Sequence, residues 1–182
     1  MKTPFLNLDP ALLLKAQGIK IIFLDVDGVL TDGRLYFTAE GESLKQFSTL
    51  DGHGLKMLQQ AGITVAVVTG RDSAPLRVRL QALGITQVRY GTEDKAPAAQ
   101  SILDALGLSW SQAAAMGDDW PDLPLLTRAA LACAPQNAHL EVKARADYVC
   151  EQQGGAGAVR AVCDLLLVAS GHYAQRLETY CS

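Results

Sequence analysis

The chain has 182 residues, 49% of them hydrophobic, and 16 Lys and Arg against 19 Asp and Glu give a formal net charge of −3. This length carries one substantial core and fits one α/β domain over residues 1–182. The scattered basic residues make no field for nucleic acid or an anionic membrane, and no segment approaches the roughly 20 apolar residues of a membrane span, so neither is expected as a partner and the protein is expected to be soluble and cytoplasmic.

Polar residues and prolines break up Met1 to Pro10 before an apolar run reaches signal-peptide length. Ala11 to Gln17 then reads as a short helix, and Lys20 to Asp25 as a strand buried on both sides. Arg34 to Phe37 and Leu44 to Phe47 flank the turn Ala39-Glu40-Gly41-Glu42, a β-hairpin inserted at about residues 33–48. Helix is expected from about Gly52 to Ala61 with Gly62 as a left-handed cap, then strand from Ile63 to Thr69 and helix from Ala74 to Leu83, closed by Gly84. Gln87 to Tyr90 is a short strand and Lys95 to Leu106 a helix. Ala113 to Gly117 has an alanine content that suits a helix equally well; the surrounding alternation favours strand. Leu131 to Ala134 and Asp147 to Cys150 complete the strands, and Ala156 to Ser170 is an amphipathic helix. The tail 171–182 is short and polar, expected to be mobile unless a partner holds it. Strands alternating with helices give a doubly wound parallel sheet of Rossmann type with no cap domain.

In such sheets ligands sit beyond the carboxyl ends of the strands. Those places hold Asp25 and Asp27, then Thr69-Gly70-Arg71, then Lys95, then Gly117-Asp118-Asp119. A carboxylate that attacks a phosphate dianion needs a cation to neutralise both, and magnesium accepts two carboxylates and a carbonyl while keeping waters. Asp25 and Asp118 are the candidate carboxylate ligands, with the main-chain carbonyl of Asp27 as third. Asp25 is the candidate nucleophile, passing through an aspartyl phosphate, and Asp27 the acid and base. Thr69, Gly70 and Lys95 are the candidate phosphate-binding residues.

Each piece has a plainer reading. Asp-Gly pairs are common turns, Thr69-Gly70 alone is a turn more often than a phosphate site, and a lysine at a helix start is usually solvated. Asp119 and Asp122 either support the metal from behind its ligands or cap the helix near Leu123. The four cysteines, Cys133, Cys150, Cys163 and Cys181, lack metal-site spacing, and His53, His139 and His172 are widely separated. The joint order of the aspartates, Thr69 and Lys95 carries the functional reading.

These residues resemble the haloacid dehalogenase superfamily, with its Asp-x-Asp-Gly, Thr or Ser, Lys and acidic motifs. Asp27 matches its phosphatases, since its dehalogenases lack that second Asp. A closer resemblance is to the capless branch that includes the 3-deoxy-D-manno-octulosonate 8-phosphate phosphatases of lipopolysaccharide biosynthesis. It extends through Asp25 to Gly33, Val68 to Arg71, Gly117 to Pro124, Arg145 to Val149 and Gly154 to Arg160. The resemblance implies a sugar-acid phosphate substrate, Mg2+, and a homotetramer in which the hairpin and tail of one subunit close the site of the next. It also implies Arg71 and Arg79 as partners of the substrate carboxylate, although Arg79 equally suits a solvated helix face. Ala156 departs from the pattern, standing where many relatives carry a longer polar or basic residue.

Three rivals compete. A nine-carbon sialic-type acid 9-phosphate would use the same catalytic residues; Arg71 after Thr69-Gly70 favours the eight-carbon acid. A receiver-type signalling domain also clusters Asp, Thr and Lys around magnesium, but its phosphorylated Asp follows the third strand. A scaffold without activity would not need nucleophile, acid and lysine together.

Overall fold

Four apolar residues, all buried, form the central strand β1 (Ile21–Leu24), and the pleat sends alternate side chains to opposite faces. In the computed structural model, which describes residues 8–181, Ile22 and Leu24 enter one core and Ile21 and Phe23 the other. Residues 1–7, most of the segment read against a signal peptide, lie outside the described residues, as does Ser182.

The sheet runs in the order β5 (Gln87–Arg89), β4 (Thr64–Val68), β1, β6 (Ala113–Met116), β7 (Leu131–Ala134) and β8 (Tyr148–Val149). Every neighbouring pair is parallel. On one face pack α1 (Pro10–Ala16), α2 (Thr49–Gln60), α3 (Ala74–Leu83) and α7 (Ala158–Ala169); on the other, α4 (Lys95–Leu106), α5 (Leu123–Leu126) and α6 (Leu140–Lys143). The alanine-rich segment is a strand because it pairs on both sides, Ile21↔Ala113 with β1 and Ala114↔Leu131 with β7. That pairing overrides its helix propensity.

Several boundaries differ from expectation. The hairpin turn is only Ala39-Glu40, between β2 (Tyr36–Thr38) and β3 (Gly41–Leu44), because Gly41 takes a φ of +120° and joins the second strand. Helix α2 starts at Thr49 rather than Gly52, where the Ser48 hydroxyl accepts from the Asp51 N–H at 3.4 Å. Helix α7 starts at Ala158 rather than Ala156, since Gly155 and Gly157 hold φ of +66° and +104°. The segment after Gly171 contains α8 (Tyr173–Glu178), where Arg176 donates to the Gln60 side-chain oxygen at 2.8 Å and to its carbonyl at 2.5 Å. No helix among the described residues is long and apolar enough to cross a membrane.

Candidate active site

The chain leaves β1 for β4 on one side and, after β5, returns to β6 on the other, so the order of strands reverses beside β1. Asp25 stands there, its N–H donating to Met116 O at 3.1 Å across to β6. The loop that follows is wound on one acceptor: the N–H groups of Val29, Leu30 and Thr31 donate to Val26 O at 3.3, 2.9 and 3.0 Å. Thr31, 1% exposed, locks it further by accepting from Gly33 N at 3.2 Å. Gly28 is required twice over. Its φ is +94°, and a Cβ there would lie 2.1 Å from Asp118 Oδ2.

The site lies in a cleft of about 840 Å³ at the carboxyl ends of β1, β4 and β6, lined by Asp25, Asp27, Thr69, Arg71, Lys95 and Asp118 among others. Lys95, at the first position of α4 and 4% exposed, donates to Asp25 Oδ1 at 2.7 Å and Asp122 Oδ1 at 2.6 Å. Asp122 Oδ2 accepts from the N–H groups of Asp118 and Asp119 at 3.0 and 3.3 Å. Asp122 thus braces both Lys95 and the loop that presents Asp118. Asp119 accepts from Trp120 N at 2.8 Å, capping the short turn Trp120–Asp122.

Asp25, Asp118 and Asp122 each offer an oxygen within 4.8 Å of the others. Both oxygens of Asp122 are already engaged, whereas Asp118 Oδ1 is buried without a hydrogen-bond partner. Burial, then the charges of Asp25, Asp122 and Asp119, push the Asp118 carboxyl up to about 8. Burial and the Asp122 charge push Asp25 to about 6 against the pull of Lys95. Burial also opposes the charge on Lys95, but Asp25 and Asp122 outweigh it and hold the ammonium above its ordinary value. Ionising both Asp25 and Asp118 would therefore gather more negative charge than Lys95 alone balances, which suits a hard divalent cation with oxygen ligands that takes the place of the protons.

Asp27 stands apart from that cluster. Its Oδ1 accepts from Lys45 Nζ, and its Oδ2 lies 3.7 Å from Arg71 Nε. Thr69, 1% exposed, and Gly70 line the cleft beside Arg71. Arg79 does not reach it: the guanidinium donates to Ser48 O at 3.1 Å, lies over the Phe47 ring at 5.8 Å and fills the space above Gly52. Within the chain, then, Arg79 belongs to the packing of α3 on α2, not to the cleft, and it is not the solvated side chain that its helix position also suggested.

Several supports go unrecognised in sequence. Asn137 donates to Gly28 O at 3.0 Å and accepts from Gly154 N at 2.6 Å, while Gly155 N donates to Val29 O at 3.0 Å. A Cβ at Gly154 would stand 1.8 Å from Gly28 O, so the glycine-rich segment is pressed against the loop after Asp25. Asp51, 1% exposed, receives Gly157 N at 3.3 Å and Arg160 N at 2.7 Å, tying the same segment and the start of α7 to α2. The string Gly154 to Arg160 is the one signal that pointed here. Lys45 and Asn137 look like ordinary polar residues of a hairpin and a loop.

A family model described as haloacid dehalogenase-like hydrolase matches residues 84–162. The chain is 41% identical over 162 residues to 3-deoxy-D-manno-octulosonate 8-phosphate phosphatase KdsC of Salmonella typhimurium, covering 89% of this chain and 86% of that one. The phosphatase of the same name from Moraxella catarrhalis, solved with magnesium, phosphate and KDO, superposes with a TM-score of 0.91 at 38% identity, over 93% of this chain and 98% of that one. The cobalt-bound deoxy-D-mannose-octulosonate 8-phosphate phosphatase of Haemophilus influenzae gives 0.86 at 41% identity, over 88% and 94%. The strand order, the uncapped cleft and these likenesses agree: the chain belongs to the haloacid dehalogenase-like hydrolases, in the family of the 3-deoxy-D-manno-octulosonate 8-phosphate phosphatases.

Proposed function

We propose that the chain hydrolyses a sugar-acid phosphate monoester, 3-deoxy-D-manno-octulosonate 8-phosphate, with magnesium and through an aspartyl phosphate on Asp25. The observation that carries this reading is the unpartnered, buried Asp118 oxygen in a cleft where Lys95 already holds Asp25. Asp25 and Asp118, with the carbonyl of Asp27, would hold Mg2+, which when bound neutralises the carboxylate and phosphate charges that otherwise repel.

The Asp25 carboxylate attacks phosphorus, the bond from phosphorus to the ester oxygen breaks, and that oxygen leaves with a proton from Asp27. A water then attacks the phosphorus of the aspartyl phosphate and gives its proton to Asp27. The bond from phosphorus to Asp25 breaks, releasing phosphate and restoring the carboxylate. Thr69, Gly70 and Lys95 hold phosphoryl oxygens, and Asp122 keeps Lys95 aimed at Asp25. Arg71, half exposed at the mouth, would meet the substrate carboxylate, a reading its partial exposure in the cleft supports.

The names of the relatives support the eight-carbon acid, and the family resemblance adds lipopolysaccharide sugar synthesis as its setting. A homotetramer is the companion reading. The hairpin exposes Phe37 at 61% and Leu44 at 52% beside an uncapped cleft, and water exclusion there calls for a neighbouring chain. The test compares kcat/KM on the eight-carbon 8-phosphate and a nine-carbon acid 9-phosphate with magnesium. Preference for the former is expected; preference for the latter overturns the substrate, and turnover of neither overturns the reaction.

A further inference from the structure

Among the described residues two lysines are buried, Lys95 and Lys45. Lys95 is explained by the nucleophile, and Lys45 has no such account. It lies one residue past β3, yet its side chain is 0% exposed, with Nζ on Asp27 Oδ1 and 2.8 Å from Glu42 Oε1. Withdrawing an ammonium from water is unfavourable unless close opposite charges offset it. The hairpin does not need this lysine for its own pairing, which runs Tyr36↔Leu44, Phe37↔Glu42 and Thr38↔Gly41.

The contact makes the two oxygens of Asp27 unlike. Oδ1 is tied to the hairpin through Lys45, while Oδ2 is the oxygen that has Arg71 Nε 3.7 Å away at the mouth of the cleft. A carboxylate free to rotate would present either oxygen at varying distance, and proton transfer needs a heavy-atom approach of roughly 2.6–3.2 Å. We infer that Lys45 is a positioning residue: it anchors Asp27 through Oδ1 so that Oδ2 gives the proton to the leaving oxygen and takes one from the attacking water. The inference rests on the phosphatase reading above. It makes the hairpin a working part of its own chain's site.

A leaving sugar hydroxyl needs that proton, and p-nitrophenolate does not, which separates positioning from general damage. Single-turnover release is measured with magnesium on 3-deoxy-D-manno-octulosonate 8-phosphate and on p-nitrophenyl phosphate. Lys45→Met is expected to slow the sugar ester ~100-fold, at the lower end of what general acid–base catalysis supplies, and the aryl ester by a much smaller factor. KM for the sugar ester should stay within about threefold, Lys45→Arg should recover most of the loss, and Asp27→Asn should show the same pattern without adding to Lys45→Met. Equal losses on both esters, or losses that multiply with Asp27→Asn, overturn the inference. Lys45→Gln, which keeps a donor without the charge, is the second variant and should give an intermediate loss. Thermal melts accompany every variant, and if neither Lys45→Met nor Lys45→Gln folds, the lysine belongs to the fold and the inference fails. Wild-type turnover lost in Asp25→Asn but unchanged in Lys45→Met would leave the phosphatase reading standing and remove this one. Absence of wild-type turnover on both esters would remove the reading itself.

Discussion

Magnesium affinity should depend steeply on pH, with a magnitude set by two carboxyl groups. In the metal-free chain Asp118 is pushed to about 8 and Asp25 to about 6, both from 3.8, so the folded protein carries protons that the ion must displace. Between pH 6 and pH 8 the Asp118 proton weakens apparent binding by a factor that falls about 50-fold, and the Asp25 proton adds about another twofold. Apparent Kd should therefore drop ~100-fold across that interval and flatten above it, and binding at pH 7 should release about one proton. The same shifts set the stability curve. A raised carboxyl pKa means the fold holds protons that the unfolded chain gives up, so metal-free stability falls as pH rises from about 4 through about 8, while stabilisation by magnesium grows over that window. Calorimetric titration in two buffers of different ionisation heat measures both affinity and proton release. An affinity constant within about twofold from pH 6 to pH 8, with no proton released, would refute the assignment of Asp25 and Asp118 as ligands.

Other outcomes follow from the same geometry. Lys95→Met leaves Asp25 and Asp122 buried without their cation, and denaturant unfolding of the metal-free protein should show a loss of about 3–5 kcal/mol, with turnover abolished. Gly154→Ala puts a Cβ 1.8 Å from Gly28 O, and the loop after Asp25 must shift; kcat should fall ~10-fold or more while circular dichroism stays native. Arg71→Ala should lower kcat/KM ~100-fold on the sugar-acid ester and only slightly on an aryl phosphate that lacks the carboxylate. Arg79→Ala should lower the melting temperature while leaving kcat/KM within about threefold, since Arg79 packs against Ser48 and Phe47 outside the cleft.

The parts of the site that sequence reveals are those fixed by local chain order. Asp25, Thr69, Lys95 and Asp118 are readable because each follows a strand or starts a helix, and a parallel sheet gathers those places at one edge. Ala113 to Met116 is readable as a strand only through its neighbours, because alanine alone favours helix. What stays hidden depends on contacts between distant segments. Lys45 meets Asp27 18 residues away, Asn137 meets Gly28 109 residues away, and Asp51 receives an N–H from Arg160, again 109 residues off. No spacing rule joins such pairs. Arg79 shows the converse. The family resemblance implies a substrate contact for it and its place on α3 suits a solvated face, but within the chain the guanidinium fills the space above Gly52 on α2. Of the two duties that sequence offers Asp122, capping the helix near Leu123 is not met, because its side chain makes no cap bond to α5; one oxygen holds Lys95 and the other accepts from the N–H groups of Asp118 and Asp119.

The central claim is that Asp25 carries the phosphoryl group, and rapid acid quench with a phosphate-labelled sugar-acid ester tests it most directly. During turnover with magnesium, label should appear on the peptide that contains Asp25, be released by mild alkali as an acyl phosphate is, and be absent in Asp25→Asn. Full turnover with no protein-bound label, or label and turnover that survive in Asp25→Asn, would contradict the account.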